Sequence, residues 1–156
     1  WLNEQLADVS MEKVYEVVSI KQVVRELESV HTVRSPEDAA ELAYELIGDE
    51  DREVFLVMCL NTKNNVVAVH KAHIGSLNAS IVHPRDVYKS AILNNAASII
   101  VSHNHPSSNF SPSPEDIEVT ERLQQAGKIL GIDLLDHVIV TPNPNKFLSL
   151  KEKGYF

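Results

Sequence analysis

Cysteine is nearly absent. Cys59 is the only one in 156 residues, so the chain holds no internal disulfide and no multi-cysteine zinc finger. It lies inside an apolar run, where a small buried side chain is expected rather than a reactive thiol. A reducing, cytoplasmic compartment is the expected setting. Long hydrophobic stretches are missing too. The longest, Val54 to Leu60, has seven residues, against about 20 needed to cross a bilayer. The first residues do not combine a charged flank, an apolar core and a small-residue cleavage site. These absences argue against a membrane protein. A basic block is lacking as well: residues 1 to 53 carry 14 acidic and 5 basic side chains, residues 54 to 156 carry 8 and 9, and the total is −8. Affinity for nucleic acid rests mainly on Lys and Arg neutralising phosphates, so direct nucleic-acid binding by this chain alone is disfavoured. No solenoid-length repeat or low-complexity tract interrupts the sequence.

What remains is the composition of an ordinary globular domain, 44% apolar and 23% charged. Trp1, Leu2 and Leu6 stand at near-helical spacing and suggest a docking helix or the remnant of something longer. From Lys13 to Ile20, the residues Val14, Tyr15, Val17, Val18 and Ile20 favour a strand. Lys21 to Val33 fits helix and strand equally. Ser35-Pro36-Glu37-Asp38 opens a helix: serine can cap, proline suits the first turn, and acidic residues face the positive end of the dipole. An apolar stripe from Ala39 to Ile47 follows, ended by Gly48. Glu53 to Leu60 reads as a buried strand, Asn61 to Asn65 as a turn, and Val66 to His70 as the returning strand of a hairpin. A short strand is expected at Ser80 to Val82, a helix from Pro84 to about Asn95, and a strand at Ala97 to Ser102. Pro106 to Pro114 holds three of seven prolines and must be a loop. A helix from Pro114 to about Leu130 and a strand at Leu134 to Thr141 complete the pattern. Strands alternating with helices predict an α/β (α+β) domain, a mixed central sheet flanked by helices, with 1–34 as an N-terminal segment and 35–156 as the domain proper.

The chemistry concentrates after the strand at Ala97 to Ser102. Residues two apart on an extended chain point the same way, so His103 and His105 can aim at one point. Pro106 restricts His105 to extended geometry and starts the loop. Asp116 falls in the first turn of the next helix, and the loop is long enough to bring its carboxylate back. Two imidazoles, a carboxylate and an open fourth position form the pattern of a catalytic zinc site. The string Ser113-Pro114-Glu115-Asp116 carries no weight alone, because the same tetrapeptide at Ser35 to Asp38 is only a helix start. Its distance from His105 is what counts. A contiguous His-Asn-His is not the nuclease motif of similar lettering, which spreads over a ββα unit. A serine-hydrolase triad lacks its Gly-x-Ser-x-Gly elbow.

His103-Asn104-His105-Pro106, followed by Ser113 and Asp116, resembles the His-x-His-x7-Ser-x2-Asp motif of the JAMM (MPN+) metalloproteases. Gly75-Ser76-Leu77, Val82-His83-Pro84-Arg85-Asp86-Val87, Ser102 to Ser107 and Leu134-Leu135-Asp136-His137 are similar to the RadC-like branch of that superfamily. The resemblance covers roughly Ser35 to the C-terminus and implies a JAB/MPN-like, cytidine-deaminase-like architecture. It also implies one zinc ion held by His103, His105 and Asp116, with Ser113 steadying the tetrahedral intermediate. The general base of the family is matched by Glu53, with Glu50 as a rival in the run Asp49-Glu50-Asp51-Arg52-Glu53. The implied activity is hydrolysis of a peptide or isopeptide amide in a peptide or protein substrate. The alternative is a non-catalytic interaction module in a DNA-repair or mobile-element context, its metal site structural or vestigial. His83 and His137 read as structural histidines, His137 having the option of supporting the site from behind. Specificity is expected from the Pro106 to Pro114 loop and the Asn61 to Asn65 turn.

Overall fold

The seven apolar residues Val54–Leu60 form a strand, β1, buried at every position. A strand apolar on both faces must be covered on both faces, and that requirement sets the architecture. The computed structural model describes residues 11–28, 31–78 and 80–156. Its helices are α1 (Pro36–Ile47), α2 (Pro84–Leu93) and α3 (Pro114–Leu130), and its other strands are β2 (Val66–Ile74), β3 (Ser98–Asn104), β4 (Asp133–Val140) and β5 (Phe147–Ser149). The sheet order is β2-β1-β3-β4-β5. β1 runs antiparallel to β2 and β3, β3 parallel to β4, and β4 antiparallel to β5. The mixed sheet with three helices is the α+β, JAB/MPN-like arrangement that the sequence leads one to expect.

Alternate residues of the strands enter opposite cores. Leu56, Met58, Leu60, Ile100 and Val138 pack with Leu42, Ala43, Leu46 and Ile47 of α1. Phe55, Val57, Cys59, Ile99 and Val101 pack with Val87, Tyr88 and Ala91 of α2 and with Val119 and Leu123 of α3. Each large side chain so buried contributes about 1.5–3 kcal/mol relative to exposure. Cys59 is fully buried and unpaired, and burial pushes its thiol pKa up. No described helix is long and apolar enough to cross a membrane.

The β1–β2 hairpin forms as expected. Asn61 Oδ1 accepts from the N–H groups of Lys63 and Asn65 at 2.9 and 3.0 Å, and Asn64 takes the left-handed conformation at φ 61° that Asn tolerates. β2 extends past His70 to Ile74. Three expectations need correction. Lys13 to Ile20 pairs with no strand among the described residues and is largely exposed, Tyr15 completely so: β-branched residues stabilise a strand only when a neighbouring strand or surface receives them. Ser80 to Val82 is a turn, because the Asn78 side chain accepts from the Ser80 N–H and hydroxyl while its carbonyl accepts from Ile81 and Val82. β3 runs on through His103 and Asn104, so the first imidazole stands on the strand rather than after it. The helix suggested around Leu2 and Leu6 lies outside the described residues.

Candidate metal centre

His103 and His105 share the α3 side of the sheet, one on the last turn of pleat in β3 and the other just beyond it. The His105 N–H donates to the Val140 carbonyl at 2.8 Å, keeping the chain extended past the strand end. The result is a pair of imidazole Nε2 atoms 2.8 Å apart. The His105 Nδ1 lies 2.6 Å from the Asn109 carbonyl oxygen. A carbonyl only accepts, so Nδ1 carries the proton and the neutral ring has its lone pair on Nε2.

His103 is braced from the opposite side. Its Nδ1 lies 2.8 Å from His137 Nε2, and His137 Nδ1 lies 2.6 Å from the Thr120 hydroxyl. Thr120 donates in turn to the Asp116 carbonyl at 2.7 Å. Run in that direction, each donor meets an acceptor and the chain ends with a lone pair on His103 Nε2, aimed at its partner. In these neutral tautomers the two lone pairs face each other and repel unless a proton or a metal cation lies between them. Burial, reinforced by the charge His103 carries when protonated, pushes the His137 pKa well below the ordinary histidine value, which suits a neutral ring passing hydrogen bonds. Of the two readings of His137, structural or supporting the site from behind, the geometry favours the second: the ring is fully buried and touches a proposed ligand.

The carboxylate arrives from α3. Ser113 caps the helix, its hydroxyl accepting from the Asp116 N–H at 3.1 Å, while the Ser113 N–H donates to Asp116 Oδ2 at 2.8 Å. This reciprocal box turns the carboxylate inward, where Oδ1 lies 3.1 Å from His103 Nε2 and Oδ2 lies 3.4 Å from His105 Nε2. Asp116 is only 2% exposed. Burial opposes its charge, but hydrogen bonds from His103 and His105 in their protonated forms outweigh that and hold its pKa well below the usual carboxylate range. Burial likewise disfavours a His105 cation. The Asp116 carboxylate, the Asn109 carbonyl and the charge of Glu53 outweigh it and raise the His105 pKa.

Glu53 completes the cluster from the head of β1: one carboxylate oxygen and the two imidazoles lie within 4.8 Å of one another. Glu50 turns elsewhere, to Lys71 at 3.7 Å. A cleft of about 460 Å³ opens beside the cluster, lined by Glu53, His105, Pro106, Ser107, Asn109, Ser111 and Ser113. The loop expected to shape a substrate site does line it. The Asn61 to Asn65 turn does not, because it leaves the opposite end of β1, roughly 20 Å away at about 3.3 Å per residue. The donor set of imidazole nitrogens and carboxylate oxygens, with no thiolate among them, fits a divalent ion of borderline softness. The facing Nε2 lone pairs supply the reason to bind one.

Comparison with known proteins places the chain in a family. Residues 33–155 match the RadC-like JAB domain. The chain belongs to that family. This RadC-like JAB domain is 55% identical over 137 residues to the UPF0758 protein of Shouchella clausii, covering 87% of the chain and 59% of that protein. It is 54% identical over 125 residues to the UPF0758 protein of Desulforudis audaxviator, covering 80% and 54%. The corresponding protein of Methanosarcina barkeri is 43% identical over 152 residues, covering 94% and 66%. The chain thus spans between about half and two thirds of the length of these curated relatives.

Proposed function

We propose that this RadC-like JAB domain is a zinc-dependent hydrolase that cleaves a peptide or isopeptide amide. The observation that carries the reading is the convergence of two imidazole Nε2 atoms, 2.8 Å apart, on one buried carboxylate, with Glu53 alongside and a cleft in front. His103, His105 and Asp116 would hold the zinc. When bound, such an ion lowers the pKa of water from roughly 15.7 to about 7 and polarises a carbonyl.

The protein's own groups do the rest. Glu53 accepts the proton of the attacking water and delivers it to the departing nitrogen, a base that becomes an acid. The Ser113 oxygen already accepts from the Asp116 N–H, so its hydroxyl proton is free to donate to the substrate oxygen as negative charge builds there. Ser107, Asn109 and Ser111 line the cleft with polar groups suited to an extended peptide. A peptide or protein substrate, and no direct contact with nucleic acid, belong to this reading.

The test is turnover of quenched-fluorescence peptides and of peptides joined through a lysine side chain, using the zinc-loaded chain. Chelator-sensitive cleavage is expected. Glu53→Gln should keep its metal and lose about 10²–10⁴-fold in kcat. Full metal loading with no cleavage of either probe type would instead favour a non-catalytic module built around a structural ion.

A further inference from the structure

The central residue of His103-Asn104-His105 faces away from both imidazoles. Strand alternation sends it to the α1 side of the sheet, where it is completely buried. A buried amide there must satisfy two donors and an acceptor, and Asn104 spends all of them on one segment about 50 residues earlier in the chain. Its Oδ1 accepts from the Val54 N–H at 2.7 Å. Its Nδ2 donates to the Arg52 carbonyl at 2.9 Å and to the Glu50 carbonyl at 3.2 Å.

These bonds bracket one residue. Arg52 C=O precedes the Glu53 peptide nitrogen and Val54 N–H follows the Glu53 carbonyl. That carbonyl itself accepts from the Gly75 N–H at 2.7 Å, at a φ of 123° that only glycine adopts readily. Glu53 has no ladder partner of its own in β1, which starts at Val54. Its backbone is therefore fixed by Asn104 on one side and Gly75 on the other. We propose that Asn104 is a positioning residue, its side-chain amide holding the Glu50 to Val54 segment so that the Glu53 carboxylate stands beside the two imidazoles. One residue of the motif then does not bind the ion but ties the ligand strand to the acid–base group. Aspartate at position 104 would lose both donors, and serine would fall short of all three partners.

The role rests on the hydrolase reading for its kinetic consequence and on the fold alone for its structural one, so two readouts separate them. In the zinc-loaded chain, Asn104→Ser is expected to lower kcat about 10- to 100-fold, the usual consequence of a misplaced catalytic group. Metal content and KM should change little. In a Glu53→Gln background the same substitution should change kcat less than about 2-fold, because both act through one carboxylate. Equal losses in both backgrounds, or loss of the metal with Asn104→Ser, would overturn the assignment. The second readout needs neither activity nor a variant: in the wild-type chain, the Asn104 side-chain NH₂ and the Val54 amide should exchange with solvent far more slowly than exposed amides. Fast exchange at both would remove the proposed tie even if the zinc-loaded chain cleaves peptides. Slow exchange together with an inactive wild-type chain would retain the tie and count against the hydrolase.

Discussion

Two imidazole nitrogens 2.8 Å apart beside a buried carboxylate form a site that a cation relieves and nothing apolar can. What keeps them there is a second set of residues: Asn109 fixes the His105 ring, and Thr120 and His137 fix the His103 ring. Removing a group that orients a ligand typically weakens metal affinity about 10- to 100-fold. His137→Ala is expected to do so, measured by competition with a chromogenic chelator, while the folded spectrum persists. An unchanged affinity would reduce His137 to a packing residue. The convergence of His103, His105 and Asp116 could be read from the sequence because spacing encodes it: alternate residues on a strand, then a capped helix turn. Thr120 carried a weaker signal, standing four residues after Asp116 and so on the same helix face. His137 could be named only as an option for supporting the site, because its place behind His103 depends on β4 pairing parallel to β3, with His137 opposite Val101. No local pattern encodes that register.

At the scale of elements, the repeated Ser-Pro-Glu-Asp string shows what a local motif does and does not determine. Both copies start a helix with a serine cap. Asp38, however, accepts from the Arg34 N–H at 2.9 Å, whereas Asp116 accepts from its own cap and meets the imidazoles. Helix starts were legible in the sequence; which start faced the chemistry was legible only through its distance from His105. The Lys13 to Ile20 segment marks the opposite limit, since propensity cannot supply a partner strand.

The α2–α3 contact is equally tertiary. Tyr88 donates to the Leu123 carbonyl at 2.8 Å. Burial, aided by the Asp133 charge, pushes its phenol up to about 12. A Cβ on Gly127 would collide with that hydroxyl and with the Ile132 carbonyl. Gly127→Ala should therefore destabilise the protein by about 1–3 kcal/mol through overpacking, although alanine is the better helix former by about 1 kcal/mol. Urea unfolding distinguishes the two signs, and a stabilised variant would show that α2 and α3 yield easily.

For the whole molecule, the sheet is the device that brings distant residues to one end. β1 delivers Glu53, β3 delivers the imidazoles, β4 supplies the brace, and α3 returns the carboxylate. Alternation of strands and helices made the mixed, layered fold readable, whereas strand order and the parallel β3–β4 pairing arise from how two apolar faces are covered together. The net charge of −8 gives this chain no general electrostatic pull toward phosphates, in keeping with the proposed peptide substrate rather than a nucleic acid. The account stands or falls on that ion. Elemental analysis of the purified chain after zinc loading and desalting should find about one zinc per chain, the load of a three-ligand site. Asp116→Ala, its fold verified by circular dichroism, should retain less than roughly a tenth of that, as expected when a ligand itself is lost. An Asp116→Ala protein that still carries zinc in full would contradict the ligand assignment and, with it, the proposed chemistry.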